Sequence, residues 1–168
     1  MTEAQLSNAM DAYGSTVYRL ALTRMQNIAD AEDVYQEVFL RLWKQAAEDW
    51  DGDRAKAWLI RTTLNRCADL HRFRLRRPVL SFAEIPDLAQ PEDESRELWE
   101  AVSRLPEKAR TAVHLYYAEG YSAEEISQLM PIPAATVRTR LHRARKQLKE
   151  LLGAVSYTHL RAHETSAH

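Results

Sequence analysis

The chain has 168 residues, of which 45% are hydrophobic, and its formal net charge is −1 at pH 7. This length suits one ordinary domain or two small ones, and the apolar content is ample for packed cores, which argues against wholesale disorder. Four glycines and six prolines are too few for a turn-rich all-β fold, so the composition favours helices.

Two features indicate the cellular compartment. The first residues, MTEAQLSNAMDAYG, lack the basic leader and apolar run of a signal peptide, and no apolar stretch approaches the roughly 20 residues that span a bilayer. The single cysteine, Cys67, cannot form a disulfide within the chain, which favours a reducing compartment. We therefore expect a cytoplasmic protein that does not insert into a membrane.

Residues 1–77 predict a compact helical domain. Apolar residues recur at three- to four-residue spacing in three successive segments. We expect the first segment to split or fray near Gly14, which gives four helical pieces. Trp58, Cys67 and His71 are assigned to the core; two ligands at Cys67 and His71 are too few for a closed metal site.

Residues 78–95 contain three prolines and show no sustained periodicity, which predicts an extended, flexible linker. The final segment, 154–168, also lacks an apolar stripe. It predicts a disordered tail, either native or foreign to the protein.

Helical periodicity returns over residues 96–153. Ser122 and Glu125 have the spacing of a capping box, and a short turn containing Pro131 precedes the last helix. Helix, short turn and helix is the helix-turn-helix pattern. The predicted fold is therefore all-α, with two small helical domains of which the C-terminal one is a helix-turn-helix.

Charge is segregated along the chain although its sum is nearly zero. Residues 61–77 and 138–149 are strongly basic, whereas residues 30–37 and 84–97 are acidic. Because the distribution of charge matters more than its sum for binding nucleic acid, two separate basic blocks indicate two contacts with nucleic acid.

The last helix has a cationic face suited to the major groove of DNA. Its apolar stripe directs a set of polar residues outward together, where an arginine can bond guanine bidentately. The outward set is Arg138, Thr139, His142 and Arg143. The flanking cations are suited to phosphates, which give affinity but no sequence information; these are Arg140, Arg145, Lys146 and Lys149. The alternative is an ordinary solvated charged face.

Two further surfaces are predicted in the N-terminal half. Arg61, Asn65 and Arg72 form a polar stripe opposite the apolar stripe of the third helix, with Arg76 beyond it and Asp69 as a structural ion-pair partner. The acidic second helix carries a semi-exposed leucine among polar residues, which indicates a protein-docking surface or an ordinary solvated face. This surface comprises Asp33, Gln36, Glu37, Leu40 and Arg41.

Three segments, in this order, resemble the extracytoplasmic-function sigma factors of the sigma-70 family. They are ADAEDVYQEVFLRLWK, KAWLIRTTLNRCADLHR and YSAEEISQLMPIPAATVRTRLHRARKQL, and the resemblance runs from about Tyr13 to Leu152. Such proteins commonly have glycine in the helix-turn-helix turn, where this chain has Pro131, which cannot supply a positive φ.

The resemblance implies roles and partners for the matching positions. The helix with Asp33, Gln36 and Leu40 would dock on the clamp helices of the largest subunit of core RNA polymerase. The loop at Trp50–Asp53 and the helix with Arg61, Asn65 and Arg72 would melt and read the minus-ten element of promoter DNA. The helix with Arg138, Thr139, His142 and Arg143 would read the minus-thirty-five element as duplex. An anti-sigma factor is the further partner implied.

The residues predict no catalysis, no cofactor and no metal site. There is no Walker loop, nucleophile elbow or pair of catalytic carboxylates, and the acidic segment DWDGD lacks the spacing of a calcium loop. Two other functions stay open at this point: a helix-turn-helix regulator that acts without polymerase, and a sigma mimic that sequesters an anti-sigma factor.

Overall fold

The computed structural model describes residues 1–45, 52–73 and 96–153, and all regular structure in these ranges is helical. The all-α prediction is therefore confirmed for this part of the chain. The chain divides into two compact units, Met1–Ala89 and Gln90–His168.

Several predictions concern residues outside the described ranges. They are the linker at 78–95, the tail at 154–168, and the individual residues Trp50, Asp51 and Arg76.

Where the structure describes it, the first unit is a bundle of three helices, α1 (Glu3–Met25), α2 (Ile28–Trp43) and α3 (Gly52–Phe73). Each helix contacts the other two, so that the three apolar stripes meet in one core. Cys67 is fully buried in this core and Trp58 packs against its edge, which confirms that both residues belong to the core.

The prediction that α1 splits near Gly14 is wrong, because the helix is continuous through this residue. Gly14 is buried, and a Cβ at its position would lie 3.1 Å from the hydroxyl of Tyr35 on α2. The glycine therefore permits close approach of the two helices. The ring of Tyr35 also packs against the rings of Tyr18 on α1 and Phe39 on α2.

Side chains close the N-termini of α1 and α2. Thr2 accepts a hydrogen bond from the Gln5 amide and the Gln5 side chain accepts one from the Thr2 amide, which forms a capping box. Gln26 ends α1 in the left-handed conformation at φ 49°. The next residue, Asn27, caps α2 by accepting from the Asp30 amide at 3.0 Å.

The second unit contains α4 (Arg96–Val102), α5 (Glu107–Val113), α6 (Ala123–Leu129) and α7 (Ala134–Leu152). Its core includes Leu98, Val113, Ile126 and Leu141, all buried. Helix α7 contacts α4, α5 and α6, so it is the central element of this unit.

A π-helical turn at His114–Ala118 follows α5 without interruption. The Glu119 amide donates to the His114 carbonyl five residues earlier at 3.2 Å. The two side chains meet in the interior, with His114 Nε2 3.5 Å from Glu119 Oε1 and both side chains about 5% exposed. Gly120 then reverses the chain at φ 75°, a conformation that favours glycine.

The predicted helix-turn-helix is confirmed as α6, a short turn at 130–133, and α7. Ser122 and Glu125 form the reciprocal capping box at the start of α6, with hydrogen bonds of 3.1 and 3.0 Å. Among the described residues, positive φ occurs only at Gln26, Gly120 and Gly153. The turn therefore requires no glycine, which explains how Pro131 is accommodated.

Candidate nucleic-acid interface

Helix α7 separates an apolar face from a cationic one. Val137, Leu141, Ala144 and Leu148 are buried. The residues predicted to point outward, Arg138, Thr139, His142 and Arg143, are all exposed, as is Lys146. Arg140 is half-buried at the edge of the face. The helix thus presents a continuous polar surface with several positive charges, the arrangement that suits the major groove of duplex DNA.

Two residues of this face make contacts that fix their geometry. The Thr139 hydroxyl donates to the Ala135 carbonyl at 3.0 Å, which orients its oxygen lone pairs. Arg138 Nη1 donates to Glu124 Oε1 at 2.7 Å, from α7 to α6 across the turn. Sequence reasoning missed Glu124, because an acid in the first turn of a short helix is already explained by the helix dipole.

Arg145, which was predicted to contact phosphates, makes contacts within the second unit, and its contact with DNA stays a prediction. Its Nε donates to the Tyr117 hydroxyl at 2.7 Å, and its guanidinium lies 5.7 and 5.9 Å from the ring centroids of Tyr116 and Tyr117. Arg145 follows the buried Leu141 by four residues, so it borders the apolar stripe, and that spacing was the signal available in the sequence. Arg145 therefore stabilises the second unit.

The polar stripe of α3 is exposed where the structure describes it. Arg61, Asn65 and Arg72 are all on the surface. Arg72 Nη1 lies 3.5 Å from Asp69 Oδ1, which confirms Asp69 as an ion-pair partner.

Two threonines beside this stripe are buried, although a core position favours apolar residues. The hydroxyls of Thr62 and Thr63 donate to the carbonyls of Trp58 and Leu59, each at 2.7 Å. These bonds satisfy the hydroxyl protons within the helix, so neither buried threonine leaves its donor unpaired.

Most of the residues predicted to form a docking surface on α2 are exposed. Asp33 and Gln36 are exposed, and the Leu40 side chain is 52% exposed. Trp43, three residues after Leu40, is 39% exposed on the same side of the helix and extends the apolar patch. Sequence reasoning missed Trp43, although its three-residue spacing from Leu40 was visible.

Glu37 differs from the other docking candidates because its carboxylate bonds within the unit. It lies 3.0 Å from Arg41 Nη2 on α2 and 3.1 Å from Arg66 Nε on α3. The residue is half-buried. The carboxylate therefore connects the two helices, and a part for Glu37 in docking stays a prediction.

Comparison with known families identifies both units. The model of Sigma-70 region 2 matches residues 9–77, and that of Sigma-70, region 4 matches residues 95–148. Among curated proteins, the ECF RNA polymerase sigma factor SigL of Mycobacterium tuberculosis is 30% identical over 166 residues, covering 93% of this chain and 94% of SigL. This chain belongs to the extracytoplasmic-function sigma factors of the sigma-70 family.

Other relatives differ in how much of their length is matched. SigE of Mycolicibacterium smegmatis is 34% identical over 83% of this chain, but the chain spans only 58% of SigE. SigW of Bacillus subtilis is 29% identical, with 87% of this chain and 88% of SigW covered.

Two solved structures share the fold. The sigma factor RpoE, in a complex with the anti-sigma factor NepR from Bartonella quintana, superposes with a TM-score of 0.69 at 21% identity, covering 91% of this chain and 97% of RpoE. CnrH, in a complex with the cytosolic domain of CnrY, gives 0.64 at 27% identity, covering 92% and 91% of the two chains.

Two further findings concern membrane-spanning helices and metal sites in the described residues. None of the helices in the described ranges is both long and apolar enough to cross a bilayer. Within the same ranges, no cluster of three or more histidine, cysteine or acidic side chains could hold a metal ion.

Proposed function

We propose that this sigma factor binds core RNA polymerase through α2 and brings two DNA-reading helices to separate promoter elements. Residues 1–77 act as the docking and minus-ten domain, residues 78–95 as the linker, and residues 96–153 as the minus-thirty-five domain. The observation that carries the proposal is the combination, in one chain, of an exposed apolar patch at Leu40 and Trp43 with the cationic face of α7.

The α2 surface supports docking to polymerase. Exposed leucine and tryptophan next to polar side chains are typical of the anchors at protein interfaces, where aromatic groups contribute most of the binding energy. Asp33 and Gln36 form the polar margin of this patch, and Glu37 supports it from within the unit. The contact with polymerase is therefore centred on Leu40 and Trp43.

The two cationic helices divide the reading of the promoter. On α7, Arg138, Thr139, His142 and Arg143 read base edges of the minus-thirty-five duplex, while Arg140 and Lys146 contact phosphates. On α3, Arg61, Asn65 and Arg72 contact the melted minus-ten element, with Arg76 continuing the basic stripe along the backbone. The protein itself performs no catalysis, since the chemistry of transcription belongs to polymerase.

Two further properties are part of the proposal. The protein acts in the cytoplasm, where its polymerase partner and promoter are found. An anti-sigma factor is its regulatory partner; the complex of the similar sigma factor RpoE with the anti-sigma factor NepR supports this part of the proposal.

Reconstitution tests the proposed function. Purified full chain added to core polymerase is expected to produce discrete run-off transcripts from genomic fragments, and the Leu40→Ala variant is expected to produce fewer at equal concentration. A complete absence of promoter-specific transcripts on all fragments would contradict the proposal.

A regulator that acts without polymerase is the alternative, and it leaves the exposed patch on α2 without a role. It predicts tight binding of the isolated chain to promoter DNA, whereas the proposed function predicts weak binding until polymerase is added. Measuring DNA binding with and without core polymerase separates the two.

A sigma mimic that only sequesters an anti-sigma factor would give no transcripts in the reconstitution.

A further inference from the structure

An acidic side chain lies on the edge of the cationic reading face. Glu124, in the first turn of α6, accepts a hydrogen bond from Arg138 Nη1 at 2.7 Å although the two residues are 14 apart in sequence. Both side chains are well exposed, at 68% for Glu124 and 58% for Arg138. An ion pair this accessible to water adds little to folding stability. The helix dipole favours an acid in the first turn of α6, but it does not require that acid to bond Arg138 on α7.

The backbone that carries Glu124 is held in place. Glu124 lies between Ser122 and Glu125, whose reciprocal hydrogen bonds close the N-terminus of α6. Helix α6 also packs against α7, on which Arg138 lies. The carboxylate is therefore presented to the guanidinium by a supporting helix of fixed position.

This contact has two consequences for DNA binding. A guanidinium has five N–H donors in one plane, so a carboxylate bonded at Nη1 restricts the positions of the group and leaves other donors for the O6 and N7 atoms of guanine. The negative charge of Glu124 also repels phosphates, which disfavours binding of Arg138 to the DNA backbone. Both effects favour base reading over charge-driven binding.

We propose that Glu124 is a specificity-determining residue that positions Arg138 for a guanine in the minus-thirty-five element. The inference rests on the proposed function, because it requires α7 to read duplex DNA. A positioning role for Glu124 differs measurably from a purely structural role. Loss of Glu124 lowers discrimination at one base pair, while binding to unrelated DNA becomes tighter.

The test uses holoenzyme reconstituted with the full chain. Run-off transcription is measured on a mapped promoter and on templates with each base pair of the minus-thirty-five element substituted singly. Arg138→Ala identifies the position that Arg138 reads. At that position Glu124→Ala is expected to lower discrimination about 3- to 10-fold, a fraction of the value of a bidentate arginine–guanine pair, and to leave the other positions unchanged.

Glu125→Gln is the matched control, because it removes one negative charge from the adjacent residue while glutamine retains the oxygen that the capping box needs. It is expected to leave discrimination at every position unchanged. The double variant Glu124→Ala with Arg138→Ala should lose no more discrimination at the identified position than Arg138→Ala alone. Circular dichroism melting of each variant verifies folding. Glu124→Gln retains an acceptor oxygen and should lose less discrimination at the identified position than Glu124→Ala.

The outcomes separate this inference from the proposed function. If Arg138→Ala lowers transcription evenly on every template, Arg138 does not read bases. The base-reading role of Arg138 in the proposed function and the positioning role of Glu124 are then both wrong. If Arg138→Ala acts at one position and Glu124→Ala acts evenly or matches Glu125→Gln, only the role of Glu124 is overturned.

Discussion

The carboxylate of Glu37 on α2 lies 3.1 Å from Arg66 Nε on α3. The same carboxylate is 3.0 Å from Arg41 Nη2, so one acid joins the proposed docking helix to the proposed minus-ten helix. Because both partners of the α2–α3 pair are about a quarter to a third exposed, salt screens this pair less than it screens a fully solvated one.

We expect Glu37→Ala to lower the free energy of unfolding of the first unit by about 1 kcal/mol, since it removes this bridge between helices. Gln36→Ala is the matched control on the exposed side of the same helix and should leave stability unchanged. Urea unfolding followed by circular dichroism measures both. Equal stability of the two variants would contradict the bridging role.

Leu40 and Leu42 offer a contrast between binding and folding. Leu40 is 52% exposed, whereas Leu42 is 1% exposed in the core. Leu40→Ala is expected to weaken binding to core polymerase about tenfold with little change in stability. Leu42→Ala should lower the free energy of unfolding by about 2 to 5 kcal/mol because it leaves a cavity. Titration of labelled chain with core polymerase, alongside unfolding curves, distinguishes the two effects.

Arg145 and Lys146 are adjacent cations with different expected roles. Arg145→Ala removes the hydrogen bond to Tyr117 and should lower the stability of the second unit by about 1 to 2 kcal/mol, without changing the salt dependence of promoter binding. Lys146→Ala should leave stability unchanged and reduce the slope of log affinity against log salt by about 1, as expected for one lost phosphate contact. A reduced slope of log affinity against log salt for Arg145→Ala would show that Arg145 contacts DNA phosphates.

Tyr18 makes stability sensitive to alkaline pH. Burial, with a smaller contribution from the charge of Glu32, raises the pKa of the Tyr18 phenol above its usual value of 10.0. The folded state therefore favours the neutral phenol: its contribution is complete below pH 10 and is lost as the pH rises toward the folded pKa, because the unfolded chain ionises first.

Tyr18→Phe is accordingly expected to flatten the fall in melting temperature above pH 10. At pH 7 the substitution should be neutral or slightly stabilising, since the Tyr18 hydroxyl makes no hydrogen bond to any residue in the described ranges. Melting curves between pH 7 and 11 measure both effects. A variant that loses stability above pH 10 as steeply as the parent would show that other groups dominate there.

Local spacing in the sequence was sufficient to predict the helices, the buried stripe of α7 and the capping box at Ser122, because each depends on residues three or four apart. Local spacing does not reveal contacts between residues that are distant in sequence. Gly14 was interpreted as a helix breaker because Tyr35, which occupies the space of its absent side chain, is 21 residues away. The hydrogen bond of Arg145 was not predicted because its partner, Tyr117, is 28 residues away.

The π-helical turn at His114–Ala118 has a consequence for how this region can vary. In a regular α-helix, residues five apart point about 140° away from each other, so the contact between His114 and Glu119 depends on the wider turn. Deleting one residue between them would rotate the Glu119 side chain about the helix axis by about 100° relative to His114. Natural variants should therefore accept exchanges of residue type between 114 and 119 more readily than a gap in the alignment.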